Sequence, residues 1–383
     1  MKPSNRSTPT FAHQGCGIAA WLTGKASLTP RRAPKSSHSP APAIIALACG
    51  AALVATTAQA ASFVTINDPA DKPFPFPNGV TFTNLLGINN SGLIDGFYGS
   101  GQAGDPNKGF FLTLPNMFTP ENFPGSAQTQ MTGLNNTGTA VGYLYKTNNG
   151  VPVDNQFGFY EQGGVFTEVN NPKTPTSPPP GILIENQLLG VTDKNIAVGF
   201  YNDASGNSHG YTYDIATKAF SADINDPFAV STVAAAINNS GEIDGFYTDS
   251  KGVIHGFLDK GGVFSTVDPL GSTETELLGL NDEGIAVGLD VVGGVMHGIV
   301  FNSVLDTFTT LDPPGSSGTT LNGINDLNQI VGFYVDAAGN TDGLLVTGIP
   351  EPATWAMMFA GFIGLGGVAL HRRRKGAIPP LSA

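Results

Sequence analysis

Six copies of one short phrase run through the middle of this 383-residue chain, and they limit its fold more than any other feature. The copies begin Leu86-Gly87-Ile88-Asn89, Thr132-Gly133-Leu134-Asn135, Leu189-Gly190-Val191-Thr192, Ala235-Ala236-Ile237-Asn238, Leu278-Gly279-Leu280-Asn281 and Asn322-Gly323-Ile324-Asn325. Their starts lie 46, 57, 46, 43 and 44 residues apart. Nine residues after the small residue at the second position there is always a glycine: Gly96, Gly142, Gly199, Gly245, Gly288 and Gly332. Five residues after it stand Gly92, Gly138, Asn195, Gly241, Gly284 and Asn328. Only glycine and asparagine occur there, the two residues that best tolerate positive φ, so this position predicts a left-handed turn between two strands.

Alternation such as Leu93-Ile94-Asp95-Gly96-Phe97-Tyr98 marks the second strand. A third follows around Gly109-Phe110, Gly158-Phe159, His209-Gly210-Tyr211, His255-Gly256-Phe257, His297-Gly298-Ile299 and Asp342-Gly343-Leu344. A fourth starts with an aromatic residue and ends near proline, as in Phe166 to Pro172, Phe220 to Pro227, Phe264 to Pro269 and Phe308 to Pro313, with an irregular version from Phe118 to Pro124. The sixth copy lacks its fourth strand. The missing phrase stands ahead of the first copy, at Phe63-Val64-Thr65-Ile66-Asn67-Asp68-Pro69. An orphan strand at one end and a vacancy at the other are reconciled if Phe63 to Asp68 pairs with Gly343 to Thr347, closing a ring that has no free sheet edge. The expectation is an all-β, six-bladed propeller over residues 61–349, with four strands per unit of roughly 45 residues.

The two ends read as addresses. A basic segment (Arg31, Arg32, Lys35) precedes an apolar run of about a dozen residues that ends in Ala58-Gln59-Ala60, the order of a cleavable export signal over residues 1–60 with Ala58 and Ala60 at the cut. At the other end Pro350-Glu351-Pro352 is followed by Trp355, an apolar run from Ala356 to Leu370 and the cations Arg372, Arg373, Arg374 and Lys375. Counted from Thr354 the stretch is 17 residues, at the lower limit for a membrane-spanning helix, and the cations after it would stay on the cytoplasmic side. Residues 376–383 would form a short cytoplasmic tail. The order Pro-Glu-Pro, short apolar span and arginine cluster closely resembles the PEP-CTERM sorting signal of Gram-negative bacteria. The resemblance implies recognition by an exosortase, a membrane transpeptidase-like protease, export across the inner membrane, and a link to exopolysaccharide or biofilm. The repeated "G-I-N-x-x-G-x-x-V-G" followed by "H-G-F" also resembles the extracellular HAF repeats, although only copies three to five keep the histidine. That resemblance implies an exported repeat domain and no reaction.

Charge and cysteine content narrow the function. From Ala61 to Ile349 there are 29 Asp or Glu against eight Lys and no Arg, a balance of 8 − 29 = −21. Such a surface repels phosphate backbones and excludes nucleic acid as a partner. Cys16 and Cys49 both precede residue 61, so the repeat domain has no disulfide and no thiol chemistry.

Few residues suggest chemistry. Asp95 and Asp244 replace the valine found at Val141, Val198, Val287 and Val331, and they fall in copies one and four, which a six-bladed ring sets opposite each other. Two carboxylates across a channel could serve a glycosidic bond as acid and base, or share a cation; a strand residue facing solvent or channel that varies freely explains them as well. His209, His255 and His297 occupy one position in three adjacent copies. Metal ligation would need them to converge within about 2 Å of one ion, so they read as strand-start histidines bonded to backbone. Asp203 to Asn207 and Asp336 to Asn340 offer oxygens for Ca²⁺ but lack the alternating acids of a calcium loop, and read as hairpin turns. The proline-rich stretch Pro172 to Pro180 reads as an exposed loop. No phosphate loop and no nucleophile elbow is present. The expected protein is therefore a non-enzymatic binding or structural component of the cell surface or matrix. Its expected partners are exopolysaccharide or envelope proteins; it has no catalytic residue, no cofactor, and Ca²⁺ as the one ion to consider. The rival reading is a polysaccharide hydrolase or lyase using channel carboxylates.

Overall fold

The computed structural model describes residues 61–73, 80–102, 104–148 and 151–348. The expected export signal with Ala58 and Ala60, the Pro350-Glu351-Pro352 motif, the apolar run and Arg372 to Arg374 lie outside them. The described residues form six four-stranded antiparallel sheets and no helix. The sheets follow one another in chain order, and we number them blades 1 to 6.

Blade 1 runs from its inner strand Thr83–Ile88 through Leu93–Tyr98 and Lys108–Thr113 to an outer strand, Met117–Pro120. The inner strands of blades 2 to 5 are Gln128–Leu134, Asn186–Val191, Ala229–Ile237 and Thr275–Leu280. Blade 6 takes Gly318–Ile324, Ile330–Val335 and Thr341–Thr347 from the end of the repeats, and its outer strand is Ser62–Thr65. The register is Ser62↔Thr347, Phe63↔Val346, Val64↔Leu345 and Thr65↔Leu344, so the orphan phrase closes the ring as its sequence implied. The ladder continues one step further, with the Ile66 N–H donating to Gly343 O at 2.8 Å.

Outer strands stop earlier than their sequence phrase. They end at Val169, Phe220, Val267 and Thr310 rather than at the prolines that follow. In blade 3 only Ala219–Phe220 pairs continuously, because the Ser221 side chain engages the ladder: its Oγ accepts the Thr212 N–H. Turn positions behave as read from the sequence, with φ of +61° at Asn195 and +56° at Asn328, and positive values at Gly92, Gly138, Gly241 and Gly284.

The core lies between blades. Leu85, Ile88, Ile94, Phe110 and Leu112 of blade 1 pack on Val331 and Leu345 of blade 6, which joins first blade to last. Val141 and Tyr160 of blade 2 join Leu188, Val191 and Tyr211 of blade 3 in the same way. Each fully buried Leu or Phe contributes about 1.5–3 kcal/mol, and with no disulfide this burial and the ladders hold the ring.

Two glycine positions show how tightly the inner strands are held. Each inner strand carries a one-residue bulge, in blade 1 at Leu86, so that Leu85 faces Gly96 and Gly87 faces Asp95. A Cβ on Gly87 would meet Gly133 Cα of the next blade at 2.8 Å, and one on Gly323 would meet Leu86 O at 2.5 Å. The second-position residues thus form a collar in which neighbouring backbones touch. The second-strand glycine is equally constrained: a Cβ on Gly199 would lie 2.0 Å from Gln187 O. Gly92, by contrast, needs its left-handed φ but has nothing within 4 Å of a Cβ. Gly199→Ala is therefore expected to cost at least about 3 kcal/mol, or prevent folding, whereas Gly92→Ala costs about 1 kcal/mol. Denaturant unfolding of both variants checks this, and equal losses would contradict the close approach of Gly199 to Gln187 O.

Candidate functional site

The inner strands end at a hairpin whose first two residues build the mouth of the central channel. The Asn of the repeated phrase works twice. In blade 1 Asn89 Oδ1 accepts the N–H groups of Ser91 and Leu93, closing the hairpin, while its Nδ2 donates to Asn135 O of blade 2 at 3.2 Å. Asn135, Asn238, Asn281 and Asn325 repeat that reach onto the next blade, to Thr192 O, Asn281 O, Asn325 O and Asn89 O. Thr192 has no amide and breaks the series.

One residue further on, a second circuit is complete. The N–H of Asn90 donates to Asn136 Oδ1, that of Asn136 to Asp193 Oδ1, and that of Asp193 to Asn239 Oδ1, all at 2.8 Å. Asn239 then donates to Asp282 Oδ1, Asp282 to Asp326 Oδ1, and Asp326 back to Asn90 Oδ1, at 2.7 to 2.9 Å. Side chains add a further layer: Asp193 Oδ2 accepts from the amides of Asn136 and Asn239, and Asp326 Oδ2 from Asn90. The ring is polar, partly exposed and floored by Ile88, Leu134, Val191, Ile237, Leu280 and Ile324. Its open space is about 390 Å³. Comparing copies shows only Asn or Asp at this position, a signal present in the sequence.

Asp95 and Asp244 stand elsewhere. Both are 0% exposed and face neither solvent nor channel. The bulge is the reason: it sets Asp95 opposite Gly87, whose missing side chain leaves room for the carboxylate to fold over and accept the Gly87 N–H at 2.7 Å. Asp244 does the same with Ala236 at 3.1 Å. The second oxygen of each has no partner. Burial pushes the Asp95 carboxyl up to about 7, against the lowering effect of the Gly87 and Gly133 N–H groups. Burial also raises Asp244 well above the carboxylate range, with the Ala236 N–H opposing. These two residues share no space in which a substrate or ion could meet both.

The three histidines bond to side chains rather than to backbone. Nδ1 of His255 lies 2.7 Å from Asp268 Oδ2, that of His297 2.7 Å from Asp312 Oδ2, and that of His209 3.0 Å from Asn225 Oδ1. Each clasps the start of a third strand to the Asx-Pro end of the fourth. Blade 6 makes the same clasp with Asn67 and Asp342 at 2.7 Å. The Asp203 and Asp336 loops are hairpin turns: Oδ1 of Asp203 accepts the Ser205 and Asn207 N–H groups, and Oδ1 of Asp336 those of Ala338 and Asn340. Among the described residues no three His, Cys, Asp or Glu are grouped as a metal site. The Pro172 to Pro180 stretch is a largely exposed connection between blades 2 and 3, held at Lys173 by an ion pair with Asp223 at 2.8 Å.

No family model matches the sequence, and no curated protein does. Among solved structures, a Dyadobacter fermentans protein of unknown function is 11% identical, with a TM-score of 0.47 over 74% of this chain and 97% of that one. A mutant Aleuria aurantia lectin is 10% identical, with a TM-score of 0.46 over 73% and 100%. Trypanosoma rangeli sialidase is 8% identical, with a TM-score of 0.44 over 85% and 64%. Likeness this distant assigns no function.

The buried acids make stability pH-dependent. The folded pKa of Asp95 lies above its unfolded value of 3.8, so between the two the folded chain holds more protons. Its contribution is full below the unfolded value and is lost as pH rises toward about 7. The loss is on the order of 4 kcal/mol for Asp95, and Asp244 acts in the same direction. Asp95→Asn keeps the acceptor for Gly87 and is expected to raise Tm at pH 8 relative to the parent chain while changing it little at pH 4. Calorimetry across that range checks it; parallel curves would contradict the assignment.

Proposed function

We propose that this chain is an exported surface or matrix protein, cut after Ala60 and sorted through Pro350-Glu351-Pro352 and Arg372 to Arg374 by an exosortase-type protease. In this reading it is a non-enzymatic component of a Gram-negative cell envelope that binds exopolysaccharide or other envelope proteins. The observation that carries the non-enzymatic part is how the acids are used. The two carboxylates that a channel hydrolase would need, Asp95 and Asp244, are sealed under their own inner strands. The three at the channel mouth, Asp193, Asp282 and Asp326, accept blade-to-blade hydrogen bonds through both oxygens. A general acid or base needs a free oxygen at the substrate, and neither set offers one.

The ring closure fits export as well. The closing strand begins at Ser62, two residues past the expected cut, so removal of residues 1–60 leaves every blade complete. Its first residue pairs with Thr347, three residues before the Pro-Glu-Pro motif, so both addresses attach to one edge of blade 6.

A glycan array probed with the full chain in detergent, followed by reducing-end assays on every glycan bound, tests the function. Binding without turnover is expected, and new reducing ends would overturn the non-enzymatic reading. Sorting has its own test. Replacing Pro350, Glu351 and Pro352 together by alanine, in a host that expresses an exosortase, is expected to leave the chain in the membrane fraction. Unchanged release would remove the motif from the proposal.

A further inference from the structure

The copies serve as internal controls, because a position that departs from its five counterparts answers to something in its own blade. At the tip of its first hairpin blade 6 carries Leu327, where the other copies have Ser91, Thr137, Lys194, Ser240 and Glu283, all polar. Leu327 is 63% exposed, so it does not serve the core. In the outer hairpin of blade 5, Val304 and Leu305 stand where blades 2 and 4 turn on Gly163-Gly164 and Gly261-Gly262, and they are 75% and 49% exposed. Blade 1, on the other side of blade 6, adds Met117 at 62%. Val165 and Val263 are exposed beside the glycine pairs of blades 2 and 4.

These side chains share one end of the ring. Strands alternate in direction, so the hairpins between first and second strands and those between third and fourth all lie at the mouth end. In blade 5 the two are joined directly, the Ser303 N–H donating to Gly284 O at 3.1 Å. The chain also leaves the ring here: Val346 pairs with Ile330, so Thr347 comes out beside the hairpin that carries Leu327. Six residues, 348–353, then separate Thr347 from the apolar stretch that begins at Thr354, and they reach at most about 25 Å. The other end of that strand, at Thr341, stands about 20 Å further back. Exposed apolar residues at that far end, Phe228 and Leu270 among them, lie on the loops leading into blades 4 and 5, away from the exit.

We propose that the mouth end docks on the surface of a zwitterionic phospholipid bilayer, with Leu327, Val304, Leu305 and Met117 seated among the headgroups. This docking rests on the membrane reading of the tail and goes beyond it, since a tail alone selects no face of the ring. A few apolar side chains hold a bilayer weakly by themselves, but a tether of at most about 25 Å keeps them beside it at high effective concentration. Attraction to anionic lipid does not hold this face: Asp306 and Asp326 border the apolar tips, and residues 61–349 contain no arginine. Burial of apolar surface in the headgroup layer carries the contact, so salt leaves it in place.

The test is fluorescence quenching of the full chain, with Cys16 and Cys49 replaced by serine, in phosphatidylcholine vesicles that include lipid brominated near the headgroup. A fluorophore is placed at Ser91→Cys, at the mouth end of blade 1, or at Leu270→Cys, at the opposite end; both positions are exposed. The chain is expected to float with the vesicles. The Ser91→Cys label is expected to be quenched at least about twofold more than the Leu270→Cys label, with or without about 0.5 M salt. Val304→Glu combined with Leu327→Glu is expected to remove that difference without changing flotation, because the tail still holds the chain. Equal quenching of both labels in floating vesicles, or a difference that survives the two glutamates, would overturn the docking and leave the tail in the membrane. No flotation would overturn both. Quenching of neither label, together with a dimer in detergent that Leu327→Glu dissociates, would assign the tips to a second copy instead.

Discussion

Everything in this ring depends on six inner strands meeting backbone to backbone around the axis. Side chains larger than a methyl group cannot enter that collar, and the neighbouring carbonyls sit where a Cβ would be. The same closeness makes the bulge necessary. With a residue left unpaired just before the collar in every inner strand, the strand twists more sharply, the collar residue faces the next blade, and the residues on either side keep their apolar faces in the inter-blade core. The second-strand glycine follows from the bulge, because the carbonyl just before it is driven toward that strand. The repeated phrase is thus one constraint written out six times.

Above the collar the constraint becomes polar. An N–H at a hairpin tip beside an apolar floor needs an acceptor, and each blade finds it in a side chain of the next. Because the circuit returns to its starting point, no hairpin can leave without stranding a donor in one neighbour and an acceptor in the other. The mouth therefore acts with the strand Ser62–Thr65 as a second closure, at the axis rather than the periphery. It also accounts for three of the acidic residues of a domain that has no arginine: at these positions carboxylate and amide are interchangeable acceptors, and the copies use both.

The architecture was legible because its signals are backbone signals. Positive φ at Asn195 and Asn328, the glycine nine residues on, and the orphan Phe63 phrase report where the chain must turn, approach or pair, and each keeps its meaning in the structure. Side-chain direction was less legible. Asp95 read as facing channel or solvent because a regular strand alternates, and the bulge at Leu86 breaks the alternation one step away. The histidines read as bonded to backbone because their partners, Asp268 and Asp312, lie 13 and 15 residues off and meet them only across a finished sheet. The mouth ring was visible as an Asn-or-Asp column, but a hairpin turn explains such a column equally well until the neighbouring blade is in view.

Repetition also separates what the fold requires from what it merely permits. A buried valine is available at every position equivalent to Asp95 and Asp244, and four copies use it. Burying an acid there costs stability at neutral pH, so packing does not select it. The N–H groups facing each carboxylate do not offset its burial in an interior of low polarity. The same holds more strongly for Glu276, which has no donor to its orphaned oxygen and has Glu274 two residues away. In a chain built from one repeated solution, costly departures are the places where something other than the fold acts. Asp95 and Asp244 sit in opposite blades, each closed off under its own strand, and each is such a departure.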